Sequence, residues 1–159
     1  MNQKSLSKWL KGIIIATAIV GAGLYLLFLP WVGRDLAVDN PDKESWFWPW
    51  LIFLLTTGIP CYIVLIKGWA VSTNIGKDKS FSHENAKHLK SISTLTLIDI
   101  GYLFAGNVVF LLLDMSHPSV ILASLLVMFC GIVFAVAAAA LSHLIEKAAT
   151  LQDENDLTI

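Results

Sequence analysis

The chain has 159 residues, of which 56% are hydrophobic and 14% charged, with a net charge of −1. Soluble domains carry about 25% charged residues, so this composition excludes an ordinary water-soluble globule, and the lack of basic character argues against direct nucleic-acid binding. Cys61 and Cys130 both sit inside apolar runs with no CxxC pair, which excludes a disulfide scaffold.

The first apolar run, Gly12–Val32, follows Lys4, Lys8 and Lys11. Ala16, Ala18 and Ala22 imitate a cleavage region, yet the run outlasts the roughly 7–15 residues of a signal core and is read as a retained span. The connection 33–48 sets Asp35, Asp39, Asp42 and Glu44 against Arg34 and Lys43. It lacks the spacing of a calcium loop and reads as a solvated external loop. Trp46, Trp48 and Trp50 close it, either as headgroup-level anchors, the simpler reading, or as an aromatic site for a lipid or cationic ligand.

A second span over 49–69 contains Pro60, which removes a backbone hydrogen bond; Thr56 and Thr57 are placed to bond the freed carbonyls. The segment 70–91 is polar and lysine-rich. Gly76-Lys-Asp-Lys79 reads as a turn and Ser82 as an N-cap, with Glu84 at the positive helix start. Ala86, Leu89 and Ile92 keep one apolar face, so a helix starting at His83 runs without a break into the third span (92–113), for about 31 residues or roughly 46 Å. The fourth span covers 120–144, and an acidic tail follows over 145–159. The tail's composition fits a disordered, solvated end.

Four runs of about 18–25 residues match a hydrocarbon thickness of roughly 30 Å. The fold class is therefore all-α, a four-helix transmembrane bundle whose third helix extends into the cytoplasm. Nine of the eleven Lys and Arg residues fall in the N-terminal segment, 67–91 and the tail, against Arg34 and Lys43 elsewhere, which puts both termini in the cytoplasm.

Asp99 is the strongest interruption of the apolar pattern. An ionised carboxylate at that depth is expensive, and such residues face a bundle interior and mark function, unless the acid is neutral and satisfied structurally. Tyr102, Gly106 and Asn107 fall near the same helix face, and Asn107 is expected to bond across to a neighbouring helix. Gly131, Ala135, Ala139 and Ser142 form a small-residue stripe, as do Ala18 and Ala22 with Gly21 and Gly23, suited to internal packing or to a homo-oligomer. Cys61 and Cys130 lie at similar depth and read as small core residues. The histidines lie near or beyond the span ends, so neither a metal nor another cofactor is expected. No nucleophile–base set, HExxH or phosphate loop is present, so no enzymatic activity is expected.

Ile59-Pro60, Lys77-Asp-Lys-Ser-Phe-Ser82, Ala86-Lys-His-Leu-Lys-Ser-Ile92 and Glu154-Asn-Asp-Leu-Thr-Ile159, with Leu29-Pro-Trp31 and Ala137–Leu141, resemble the YoaS-like family of small bacterial membrane proteins, domain of unknown function 2975. The resemblance implies a bacterial cell-membrane protein with no established activity. It also implies a regulatory pair with a small helix-turn-helix regulator encoded nearby, which the membrane protein holds or releases. The chain departs from that pattern at Asp114-Met-Ser-His-Pro118, where a more acidic turn is expected, and Asp99 and Asn107 are not positions the resemblance supports.

Two readings follow. In the first, a non-enzymatic sensor or anti-regulator binds the regulator through a cytoplasmic surface of Lys77, Lys79, Phe81, Lys87 and Lys90 with Asp153, Glu154 and Asp156, opposite charges that suit docking. Membrane lipids compete for the basic part of that surface. In the second, a small transporter or immunity-type protein handles a hydrophobic or cationic compound with Asp99 as coupling acid.

Overall fold

The computed structural model describes residues 2–39 and 41–156. Helix α1 spans Gln3–Gly23, a π-helical turn Leu24–Phe28, α2 Leu29–Asp39, a 3-10 turn Pro41–Trp46, α3 Phe47–Gly76, α4 His83–Leu112 and α5 Pro118–Asp156. No strand occurs among the described residues. Four stretches are long and apolar enough to cross a membrane: Gln3–Asp35, Glu44–Gly76, His83–Leu112 and Pro118–Asn155. At about 1.5 Å per residue the 30 residues of α4 reach roughly 45 Å, more than a hydrocarbon layer needs.

Packing follows chain order: α1 lies on α3, α3 on α4 and α4 on α5, and among the described residues the backbones of α1 and α5 do not meet. One end carries the start of α1, the 76–83 turn and the end of α5; the other carries the Pro41–Trp46 turn and the 112–118 connection.

Three polar rungs join the first span to α3, two from α1 and one from the π turn. Ser7 and Ser72 each donate to the other's carbonyl, at 2.7 and 2.9 Å; Tyr62 donates to the Ala18 carbonyl at 2.8 Å; and the Tyr25 and Thr57 hydroxyls meet at 3.0 Å. Side-chain hydrogen bonds suit a helix pair in lipid, where burying Leu against Leu gains little over lipid tails.

The α4–α5 contact rests on small residues. Met128, Ala135, Ala138, Ser142, Ile145 and Ala149 are buried, and the Ser142 hydroxyl donates to the Ala86 carbonyl at 2.7 Å. The expected stripe is thus used inside the molecule, with one change of register: Ala138 faces α4 and Ala139 is exposed.

Both short turns turn on an aspartate. Asp78 (φ 59°) and Asp114 (φ 56°) adopt the left-handed conformation, which Asp tolerates better than bulkier residues. The amide of the residue after each bonds back to the helix it leaves, Lys79 to the Asn74 carbonyl at 3.0 Å and Met115 to the Phe110 carbonyl at 2.8 Å. The first turn is the one expected over 76–79, although the left-handed residue is Asp78 and Gly76 remains helical. Ser82 caps α4 as expected, accepting from the Asn85 amide at 3.3 Å.

Several expectations change. Residues 33–39, expected as loop, continue as helix, and the acidic tail is helical to Asp156. A π turn interrupts the first span where the sequence reads as uninterrupted apolar helix. Thr56 and Thr57 bond the Phe53 and Leu54 carbonyls at 2.6 and 2.7 Å, one turn before the carbonyl that Pro60 frees. Cys61 and Cys130 are exposed free thiols, not core residues. Leu157–Ile159 and the side chains of Asp39, Lys43 and Asp156 lie outside the described residues.

Candidate functional sites

The terminus-bearing end is tied together by buried amides. Asn85, with none of its surface exposed, donates to the Lys79 and Ser80 carbonyls at 3.0 and 3.1 Å and accepts from Asn74 at 3.0 Å. Ser80 also meets the Gln3 amide at 3.0 Å, which brings α1 into the same network. This knot sets the shape of the 76–83 turn, on which Lys77, Lys79 and Phe81 are exposed, Phe81 by 61%. Lys87 and Lys90 are exposed on the following helix. The basic residues read from the sequence are thus exposed on and beyond a hydrogen-bonded turn, with Phe81 exposed among them.

The acidic part of the surface is brought to α4 by His83. Its Nδ1 lies 2.8 Å from Glu146 and its Nε2 3.1 Å from Asp153, both on α5. The exposed imidazole is raised above its ordinary value of 6.5, first by its hydrogen bond to Glu146 and then by that to Asp153. A raised folded value means that the charged bridge contributes fully below the ordinary histidine range and is lost as pH rises through the folded value. An NMR titration of His83 should give a midpoint above 6.5 that falls in Glu146→Gln and Asp153→Asn; a midpoint unmoved by both substitutions would remove the clamp. Glu154 is exposed beside it. Sequence reasoning assigned Asp153 to the surface but missed His83 and Glu146, because their pairing depends on the register between α4 and α5.

Inside the span region, α4 turns its polar groups toward α3. Asp99 accepts from the Cys61 thiol at 3.7 Å, and the Tyr102 hydroxyl meets that of Thr56 at 2.7 Å. The hydroxyl of Tyr25, held by Thr57, also faces Cys61, so groups from the π turn, α3 and α4 converge. The second carboxylate oxygen of Asp99 is buried without a partner. Asn107 is buried but does not bridge helices: its amide donates to the Leu103 carbonyl of its own helix at 2.8 Å, and its oxygen has no partner.

At the far end the three predicted tryptophans separate. Trp48 is 64% exposed, as a headgroup-level side chain would be. Trp50 turns inward, stacks on Phe110 at 4.2 Å and donates to the Met115 carbonyl at 2.8 Å. Trp46 and Trp50 line an apolar pocket of about 540 Å³ with Leu29, Phe47, Met115 and His117.

Four helices in serial contact, each long and apolar enough to cross a membrane, define a multi-pass membrane protein. The chain belongs to the family described as protein of unknown function DUF2975, whose model matches residues 31–159. It is similar to the uncharacterized membrane protein YoaS of Bacillus subtilis (strain 168), 30% identical over 161 residues covering the whole of both chains. No solved structure matches it.

Proposed function

We propose that this protein is a non-enzymatic sensor or anti-regulator of the bacterial cell membrane that holds a small helix-turn-helix transcription regulator at its terminus-bearing end. The observation that carries the reading is the continuity of α4. One unbroken helix runs from the exposed basic turn, past the His83 clamp, to Asp99 and Tyr102 inside the span region. A rigid element of this kind transmits a change in the membrane to a docking surface. The lysine distribution supports placing that end in the cytoplasm. Phe81 supplies an apolar contact within a cationic surface, and the acidic α5 end a second contact of opposite sign.

Co-purification with the regulator encoded beside it tests this. Deleting 152–159 should weaken the association, and no association under any condition would sink the reading. The runner-up, a small transporter with Asp99 as coupling acid, is favoured by the unpartnered carboxylate oxygen of Asp99, and reversible protonation of that residue is its first requirement.

A further inference from the structure

We propose that Asp99 is a reversible proton-binding site within the membrane, with Cys61 and Tyr25 as the groups that rearrange when its proton leaves. Three independent observations place it there. First, Asp99 lies seven residues inside the third span read over 92–113, about 10 Å from its edge, and nine residues, about 13 Å of helix rise, beyond Lys90, the nearest lysine on its own helix. Second, its hydrogen bonding is that of a neutral acid's site. One oxygen is buried with no partner, and the other has only a thiol at 3.7 Å, a weak and long donor. A carboxylate in hydrocarbon needs strong donors or a cation, and neither is in place. Third, the donors able to answer a charge are adjacent but engaged elsewhere: the Tyr25 hydroxyl is paired with Thr57 at 3.0 Å and faces Cys61.

The ionisable groups facing Asp99 are therefore Cys61 of α3 and Tyr25 of the π turn. Tyr102, on its own helix, is occupied by Thr56, and α5 brings no charge against it. When the proton leaves Asp99, the Tyr25 hydroxyl is the strongest donor available. Its turn away from Thr57 would break the rung nearest the π turn, while the Ser7–Ser72 and Tyr62–Ala18 rungs remain. The π turn that carries Tyr25 departs from the regular helical ladder, with the Leu29 amide bonded to the Leu24 carbonyl, and such turns recur at functional sites. The ligand is a proton, and the device is a local shift of the π turn against α3. This stands whether or not the protein binds a regulator.

The test uses the full-length protein in lipid vesicles and a hydrophobic carbodiimide, which modifies protonated carboxyl groups exposed to lipid, with peptide mass spectrometry as the readout. The expected result is modification at Asp99 at neutral pH, declining about tenfold per pH unit above a single midpoint, as one titrating group requires. It should be absent in Asp99→Asn, and in Tyr25→Phe, which removes the donor that answers the charge, the midpoint should move upward. Should Asp99→Asn fail to fold, the wild-type pH profile and its shift in Tyr25→Phe still decide. No modification of Asp99 at neutral pH, or a yield independent of pH, overturns the proton site. A midpoint unchanged in Tyr25→Phe overturns the role given to Tyr25. Loss of regulator binding with an intact proton profile would count only against the proposed function.

Discussion

Replacing Asn85 with Ala should destabilise the protein by about 2–3 kcal/mol, because it orphans one buried amide and two part-buried carbonyls at roughly 1 kcal/mol each. The Lys79 and Ser80 carbonyls lose their donor, and the Asn74 amide loses its acceptor. Asn85 has none of its surface exposed and Asn74 only 9%, so water does not replace what is lost without opening the turn. The turn is already committed to a left-handed Asp78. Asn85→Asp keeps the acceptor but removes both donor bonds, and its charge would lie against two carbonyls, so it should be no better than Ala. Reversible unfolding in mixed micelles, followed by circular dichroism, measures both variants. Wild-type stability for Asn85→Ala would show that the knot is an ornament of the turn and not its cause. The consequence for the proposed docking surface is direct: Lys77, Lys79 and Phe81 should be more mobile in the variant while the spans remain helical.

The four spans were legible because lipid imposes a length and composition that few other structures share. Ser82 and the unbroken helix behind it were legible for a local reason, since a cap and a continuing apolar face are written within one turn. What escaped the sequence reading depended on which helix faces which. Asn74 and Asn85 look like solvated residues beside a turn, until the register between α3 and α4 closes the 76–83 segment around them. Cys61 was matched by depth to Cys130, whereas the structure gives it Asp99. The tail reads as disordered on composition, but α4 supplies His83 to carboxylates seven residues apart on α5, two helical turns on one face. The π turn left no trace because inserting one residue in an apolar run does not change its hydropathy. Of the candidate site, Asp99 and Tyr102 were found from their polarity alone; Tyr25 was not, since a tyrosine in a span reads as an interfacial or packing residue.

Gly106→Ala should destabilise the α3–α4 pair by about 1–3 kcal/mol, the range for forcing an extra group into a packed core. A Cβ at Gly106 would overlap the edge of the Phe53 ring. A free ring would swing aside at small cost, but Phe53 is buried and has aromatic neighbours on three sides: Trp50 at 5.9 Å, Phe110 at 5.3 Å and Tyr102 at 5.0 Å between centroids. Moving it disturbs the Trp50–Phe110 stack, and Trp50 in turn holds the Met115 carbonyl of the 112–118 connection. On the other side Tyr102 would be pushed along its hydrogen bond to Thr56. The strain therefore has two exits, one toward the aromatic end and one toward the Asp99 cluster, and the double mutant separates overpacking from a general helix defect. In a Phe53→Leu background the smaller side chain leaves room for the new methyl group, so Gly106→Ala should there be close to neutral, or slightly stabilising through helix propensity. An equal loss in both backgrounds would refute the close approach of Gly106 to Phe53. A loss confined to the wild-type background, accompanied by a shifted proton midpoint at Asp99, would show that aromatic packing at one end of α4 reaches the carboxyl near its middle.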